Sequence, residues 1–250
     1  MPASPSRAAR EALDRLLRTD AAALRASLPA GFADAVETYV RLLLDANRQT
    51  NLTRVVEPDA VARLHLLDAL AALPLLDAVA PRSALDLGSG GGVPGIVLAL
   101  ARPSIRWVMV DSVGKKAAVL RSFVAELGLS GVSVAAERAE ILGRDPARRE
   151  AHDLVTARAC APLPVLVEYA LPLLRPGGTL IAWKARLAAD DREVVAGRAA
   201  AEALGRGRLR LVEPGVAALA GHQFVVVEKM GPTPERFPRR PGVPLRRPLG

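Results

Sequence analysis

The segment Ala84-Leu-Asp-Leu-Gly-Ser-Gly-Gly-Gly-Val-Pro-Gly95 constrains the fold more than any other stretch of this chain. SALDLG reads as a short apolar strand that ends in a glycine turn, with a helix expected after the glycines. Glycine at that place lets backbone approach a ligand closely at the carboxyl end of a strand. Strand-like and helical runs then alternate. IRWVMVD (105–111), VSVAAE (132–137), DLVTAR (153–158) and TLIAWK (179–184) read as strands. GKKAAVLRSFVAELG (114–128) and PLPVLVEYALPLL (162–174) read as helices, and RPGG as a turn. Such alternation implies βαβ units, an α/β fold and a mostly parallel sheet with helices on both faces. LRLVEP (209–214) and HQFVVVEK (222–229) are joined too closely for a long crossover, which predicts an antiparallel pair at one sheet edge.

Before Ser83 the rhythm is helical. Val36, Tyr39, Val40, Leu43, Leu44 and Asn47 trace one helical face, and a second apolar helix is expected from about Pro58 to Leu76, with Glu57 and Asp59 at its positive end. The expected organisation is a helical extension over 1–82, a ligand-binding domain over 83–229 and a basic, proline-rich tail over 230–250.

Charge is informative because it is concentrated. The chain carries 34 Lys+Arg against 26 Asp+Glu, so 34 − 26 = +8. From Lys229 to Gly250 there are six basic residues (Lys229, Arg236, Arg239, Arg240, Arg246, Arg247) and one acid, Glu235. Such a segment suits phosphate or an acidic partner. Six prolines among residues 230–250 predict a tail that is extended and poorly ordered when free. Hydrophobic residues at 50% exclude a disordered chain, and a single cysteine, Cys160, excludes a disulfide scaffold. Aromatic residues at 3% argue against binding on an aromatic β platform. The longest apolar attempt, Leu66 to Leu76, is broken by Asp68 and Pro74, short of the roughly 18 residues of a membrane span. No secretory core opens the chain, and Glu11, Asp14 and Asp20 argue against a transit peptide. A cytoplasmic protein with no membrane partner is expected.

The glycine loop and Asp111, which closes the next strand 23 residues after Gly88, together indicate a cofactor containing a nucleoside. Gly90, Gly92 and Gly95 fit G-x-G-x-x-G, so the pattern leaves NAD open. Pro94, however, removes an N–H that a pyrophosphate turn would use. Asp86 sets a carboxylate near the loop, which suits the ammonium or sulfonium of S-adenosylmethionine better than a pyrophosphate. RPGG and the terminal β pair favour the same reading. S-adenosylmethionine is the preferred cofactor, NAD the alternative, and glycines serving only strand–helix packing a third possibility.

Beyond these general features the chain resembles the RsmG/GidB family of bacterial 16S rRNA guanine-N7 methyltransferases. The resemblance runs from about Tyr39 to the C-terminus. It rests on NLT at Asn51–Thr53, HLLDAL at His65–Leu70, LDLGSGGGVPG, DSVGKKAAVLR at Asp111–Arg121, ERAEIL at Glu137–Leu142, TARACAPL at Thr156–Leu163, ALPLLRPGG and RFPRRPGVPLRRPL. It implies a Rossmann-like class I methyltransferase fold with a seven-stranded sheet. It also implies methyl transfer from S-adenosylmethionine to N7 of a guanine in the 530 loop of 16S rRNA. Positions matching the family's cofactor contacts are Gly88, Val93, Ala139, Glu140 and Arg158; analogy with the fold adds Gly90, Asp86 and Asp111. The implied partner is 16S rRNA or the small ribosomal subunit, and the chain is expected to act as a monomer.

Individual side chains have competing readings. Arg158, at the end of a strand, is the candidate catalytic residue, orienting guanine or cofactor; its alternative is a salt bridge with Asp86 or Glu140. Lys115 and Lys116 suit RNA phosphate or plain solvent. His65 contacts substrate or is a satisfied core histidine, and Asn51 caps or turns the chain. Cys160 is expected to be a small packed side chain, and three scattered histidines give no metal site. A methyltransferase for a small molecule or a protein is the competing function, and a cofactor-binding module without catalysis a further one.

Overall fold

A computed structural model describes residues 3–250; residues 1 and 2 of the expected N-terminal extension lie outside it. Seven strands form one sheet: β1 (Ser83–Leu87), β2 (Arg106–Val110), β3 (Val132–Ala135), β4 (His152–Arg158), β5 (Leu174–Ala185), β6 (Arg208–Val212) and β7 (His222–Glu228). Their order is β3-β2-β1-β4-β5-β7-β6. The first five strands are parallel to their sheet neighbours in that group, and β7 runs antiparallel to both β5 and β6. This is the α/β sheet with an antiparallel edge that the sequence predicts. The chain winds outward from β1 to one side and from β4 to the other, so the crevice above these two strands is the switch point where such sheets take ligands.

Side chains alternate across the sheet with period two. Ala84, Trp107, Met109, Leu154 and Ile181 enter one core with the N-terminal helices, while Leu85, Val108, Val155, Leu180 and Val225 enter the other. The first face is covered by α1 (Pro5–Thr19), capped by the Ser4 hydroxyl, and by α2 (Ala22–Ala26) and α3 (Phe32–Thr50). The expected helix from Pro58 to Leu76 is interrupted. Here α4 (Pro58–Val61) runs through a π-helical turn at Ala62–Leu67 into α5 (Asp68–Leu70), and α6 (Leu73–Val79) starts afresh. Pro74, which has no N–H to continue a ladder, sits in the first turn of α6 where that loss is harmless. The π turn widens the coil and re-aims the side chains that follow it. Next come α7 (Gly95–Ala101) and α8 (Gly114–Glu126) on this face; α9 (Ala139–Leu142), α10 (Leu163–Ala170) and α11 (Arg192–Gly205) serve the other. Tyr39, Leu43, Leu66, Ile96 and Trp107 share one continuous core, so packing runs unbroken across residue 82.

Two expectations are corrected here. RPGG is not a turn ahead of its strand: Leu174 already pairs with His152 and Thr179 with Leu154, so residues 175–178 bulge from within β5. Lys229, with no exposed surface, supports the bulge by donating to the Leu171 and Leu174 carbonyls and to Glu150. The tail, expected to be extended, is folded against α9 and α10. Phe237 is buried, Arg239 pairs with the fully buried Glu168 (Nη2–Oε2 2.5 Å), and the Gly242 N–H donates to Glu140. Buried carboxylates need donors, and the tail brings them. The short α12 (Val243–Arg246) follows. Of the six tail cations, Lys229 and Arg239 are thus used within the fold, while Arg236, Arg240, Arg246 and Arg247 remain exposed. Among the described residues, no helix is long and apolar enough to cross a membrane.

Candidate active site

The loop after β1 is held open from three sides. Gly88 and Gly90 adopt φ of +68° and +54°, a region that costs little only for glycine. The Ser89 hydroxyl donates to the Asp86 carbonyl and accepts from the Val110 N–H, fixing the loop to β1 and β2. Asp111 takes the Gly90 N–H on Oδ2 (3.0 Å) and the Val113 N–H on Oδ1 (2.8 Å). From the N-terminal helices, Tyr39 Oη donates to the Gly91 carbonyl at 2.8 Å.

Above the loop lies a cavity of about 180 Å³. Gly88, Gly90, Val93 and Arg158 line it, joined by Thr53, His65 and Lys116. Five motifs far apart in the sequence therefore meet at one place. Arg158 ends β4 on the same face as Leu154 and Thr156, so its side chain runs toward the helical layer. Its Nη1 donates to the Leu64 carbonyl at 2.7 Å and lies 3.3 Å from Asp68 Oδ2. The salt bridge expected with Asp86 or Glu140 is instead made with Asp68, which the π turn and α5 bring within reach. Arg158 Nη2 stands 3.2 Å from His65 Nδ1, and His65 Nε2 is 2.7 Å from Thr53 Oγ1. His65 Nδ1 also lies 3.1 Å from the Leu64 carbonyl, so the ring is wedged between Arg158, Leu64 and Thr53. Burial, then the neighbouring Arg158, holds the His65 ring down to about 4 and keeps it neutral. Asn47 ties the NLT segment in place, accepting from the Leu52 and Thr53 N–H groups, while Asn51 ends α3 in a left-handed conformation. Lys115 donates to the Gln49 carbonyl, and Lys116 faces the cavity.

Asp86 lies one layer below. It has no exposed surface, accepts from Thr156 Oγ1 at 2.6 Å and leaves Oδ2 without a partner. Burial pushes its carboxyl up to about 6. It therefore does not offer its carboxylate directly to the cavity, because Gly95 packs over it: a Cβ there would stand 2.7 Å from Oδ2. Ala139 and Glu140 open α9 beyond β3 and do not line this cavity. Glu140 is 2% exposed and is taken by Arg138 and by the tail at Gly242. Cys160 is exposed as a residue, but its Sγ is turned inward against Gly88. Its thiol is pushed up to about 11, by desolvation first and then by Asp86 and Asp111, which leaves no thiolate near neutral pH. Ala159, between Arg158 and Cys160, holds φ +51°, strain of the kind that gathers at functional sites.

Sequence reasoning did not single out a second cleft of about 530 Å³ that shares His65, Arg158 and Ala159 with the first cavity. There His222 Nδ1 lies 2.8 Å from Asp68 Oδ1, and Trp183 Nε1 donates to the Asp68 carbonyl. The i, i+3 spacing of His65 and Asp68 in HLLD hinted that both share a helical face. Nothing local pointed to His222. A cavity of about 540 Å³ between α1 and the start of α3 contains none of the motif residues. Among the described residues no group of three His, Cys, Asp or Glu is placed to hold a metal ion.

The model of the family "rRNA small subunit methyltransferase G" (GidB) matches residues 33–211. Ribosomal RNA small subunit methyltransferase G of Roseiflexus sp. is 43% identical over 204 residues, covering 81% of this chain and 86% of that protein. The protein of the same name from Rubrobacter xylanophilus is 40% identical over 247 residues, covering 97% of this chain and 92% of its own length. An O-methyltransferase from Bacillus cereus, solved in complex with SAH, superposes with a TM-score of 0.54 at 20% identity, covering 77% of this chain and 91% of its own; that likeness concerns the fold. By the extent of the family match and by these identities, this chain belongs to the rRNA small subunit methyltransferase G family.

Proposed function

We propose that this chain transfers a methyl group from S-adenosylmethionine to N7 of a guanine in the 530 loop of 16S rRNA. The observation that carries the reading is the convergence of Thr53, His65, Lys116 and Arg158 on the cavity above the glycine loop. The cradle fits a nucleoside cofactor: Gly88 and Gly90 hold positive φ, a Cβ at Gly90 would meet only the Gly88 carbonyl at 3.7 Å, and Asp111 and Tyr39 hold the loop in that shape. Gly88, Gly90, Val93 and Arg158 would hold the cofactor. Ala139 and Glu140 would meet its far end, Asp111 would sit by the ribose edge, and Asp86 would act from beneath through Gly95.

When bound, S-adenosylmethionine supplies an electrophilic methyl group on a positive sulfur. Guanine N7 brings an in-plane lone pair and no proton, so no side chain has to remove one before transfer. The site agrees with that demand: His65 is buried and Cys160 stays a thiol. What remains for the protein is placement, which can supply several kcal/mol, up to about 7–11 in ideal intramolecular cases. Arg158 is fixed at both ends of its guanidinium, by Leu64 and Asp68 on one side and His65 on the other, and so serves to orient.

In this reading residues 1–82 and the tail from 230 flank the catalytic domain of 83–229 and help grip RNA. The chain works as a monomer in the cytoplasm on 16S rRNA or the small subunit. The test is methyl transfer to naked 16S rRNA and to assembled small subunits, with the modified nucleotide mapped. A methyl group found only on a protein or a small molecule would reject the assignment.

A further inference from the structure

We propose that the second cleft receives the target guanine and that His222 reads its Watson–Crick edge, accepting from guanine N1–H at ring Nε2. This rests on the guanine reading above. The two cavities have His65, Arg158 and Ala159 as a common wall. In guanine N7 and N1–H flank the O6 carbonyl, so a base in the second cleft that turns N7 toward that wall, and so toward the methyl donor, presents N1–H on the adjoining edge of the ring. His222 also lines this cleft, and it adjoins the shared wall through Asp68, whose carboxylate contacts both His222 (2.8 Å) and Arg158 (3.3 Å). Val55 and Leu64 give the cleft apolar surface, as a base drawn out of its stack requires.

The chemistry of His222 follows from Asp68. An ionised carboxylate only accepts, so the 2.8 Å contact puts the ring proton on Nδ1 and leaves the Nε2 lone pair free. Asp68 is 4% exposed and the His222 side chain 31%, so the open edge of the ring is the Nε2 edge. Asp68 also accepts from Arg158, which makes it a positioning residue that sets both groups at once. Adenine offers a lone pair at N1 instead of a proton. Two lone pairs would then face each other, and a site built for a hydrogen bond discriminates strongly against a partner that cannot make it.

The test uses the full chain, S-adenosylmethionine and small subunits reconstituted with 16S rRNA carrying guanine, inosine or adenine at the target. Inosine keeps N1–H and loses only the 2-amino group. The parent should methylate guanine and inosine at comparable rates and adenine at least about ten-fold more slowly, the value of one hydrogen bond near 1.4 kcal/mol. His222→Ala should lose about ten-fold in kcat/KM on guanine and most of the preference over adenine. His222→Gln, whose amide oxygen accepts, should recover part of both, and Asp68→Asn, which frees the ring to move its proton, should lower the same preference. Calorimetric affinity for S-adenosylmethionine identifies any variant that fails to fold, and the three-base series on the parent then decides alone. Inosine refused as firmly as adenine, or His222→Ala retaining the parent's guanine preference, overturns the proposal. A parent that leaves guanine unmethylated overturns the function reading and this inference together.

Discussion

Tyr39 and Gly91 are joined by a 2.8 Å hydrogen bond that makes the third N-terminal helix part of the cofactor cradle. Tyr39 has no exposed surface, so Tyr39→Phe leaves the Gly91 carbonyl without this donor in a dry setting. The expected loss is about 1 kcal/mol of stability, with several-fold weaker S-adenosylmethionine binding by calorimetry. Cofactor affinity equal to the parent's would mean that the helix and the loop are independent.

Gly95 and Asp86 constrain each other through packing. A methyl at Gly95 would stand 2.7 Å from Asp86 Oδ2 and 3.0 Å from its Cβ, and Asp86, wholly buried, has nowhere to retreat. Gly95→Ala should cost about 1–3 kcal/mol, read as a lower denaturation midpoint. Adding Asp86→Ala should restore part of that loss; strictly additive effects would contradict the contact.

Acid should weaken the fold, and Asp86 should soften the fall. Its carboxyl is raised from 3.8 to about 6, chiefly by burial. The folded chain thus keeps a proton the unfolded chain gives up, so its contribution is full below pH 3.8 and lost as pH rises through about 6. His65 and His152 have the opposite sign: burial lowers both from 6.5 to about 4, so their contribution is present above 6.5 and lost as pH falls through about 4. Two histidines outweigh one aspartate, and net stability should decline across that window on acidification. Asp86→Asn removes the compensation, so its decline should be steeper. Denaturant midpoints measured through the window check this, and parallel curves for the two proteins would refute it.

The tail separates into cations used within the fold and cations left exposed. Arg239→Ala would leave Glu168, at 0% exposure, as an uncompensated buried charge, a loss of about 3–5 kcal/mol in a thermal or chemical melt. Truncation after Lys229 should for the same reason destabilise the whole chain, beyond any effect on RNA. Replacing Arg240, Arg246 and Arg247 by Ala should instead leave the melt near the parent's and flatten the log–log salt dependence of RNA binding by about 2–3. An unchanged slope would remove these arginines from the interface.

The sheet was legible because its evidence is local: apolar runs of strand length, glycines at their ends and helical spacing between them. The glycine loop and Asp111 were legible for the same reason. What the sequence concealed depends on contacts between distant segments. Arg158 could be placed at a strand end, but its partner Asp68 depends on a π turn that no propensity marks. His222 reaches Asp68 across 154 positions of chain. The tail looked free because proline and arginine dominate it; the buried carboxylates of Glu168 and Glu140 that hold it down lie elsewhere. Asp86 reads as a ligand residue beside its glycines, yet period-two geometry and Gly95 enclose it.

The central claim is tested most directly by incubating the purified chain with S-adenosylmethionine and unmethylated small subunits, then mapping modified nucleotides by mass spectrometry. The account predicts one N7-methylguanosine, in the 530 loop of 16S rRNA. A methyl group on a different base, or rRNA left unmodified while the cofactor binds, would contradict it.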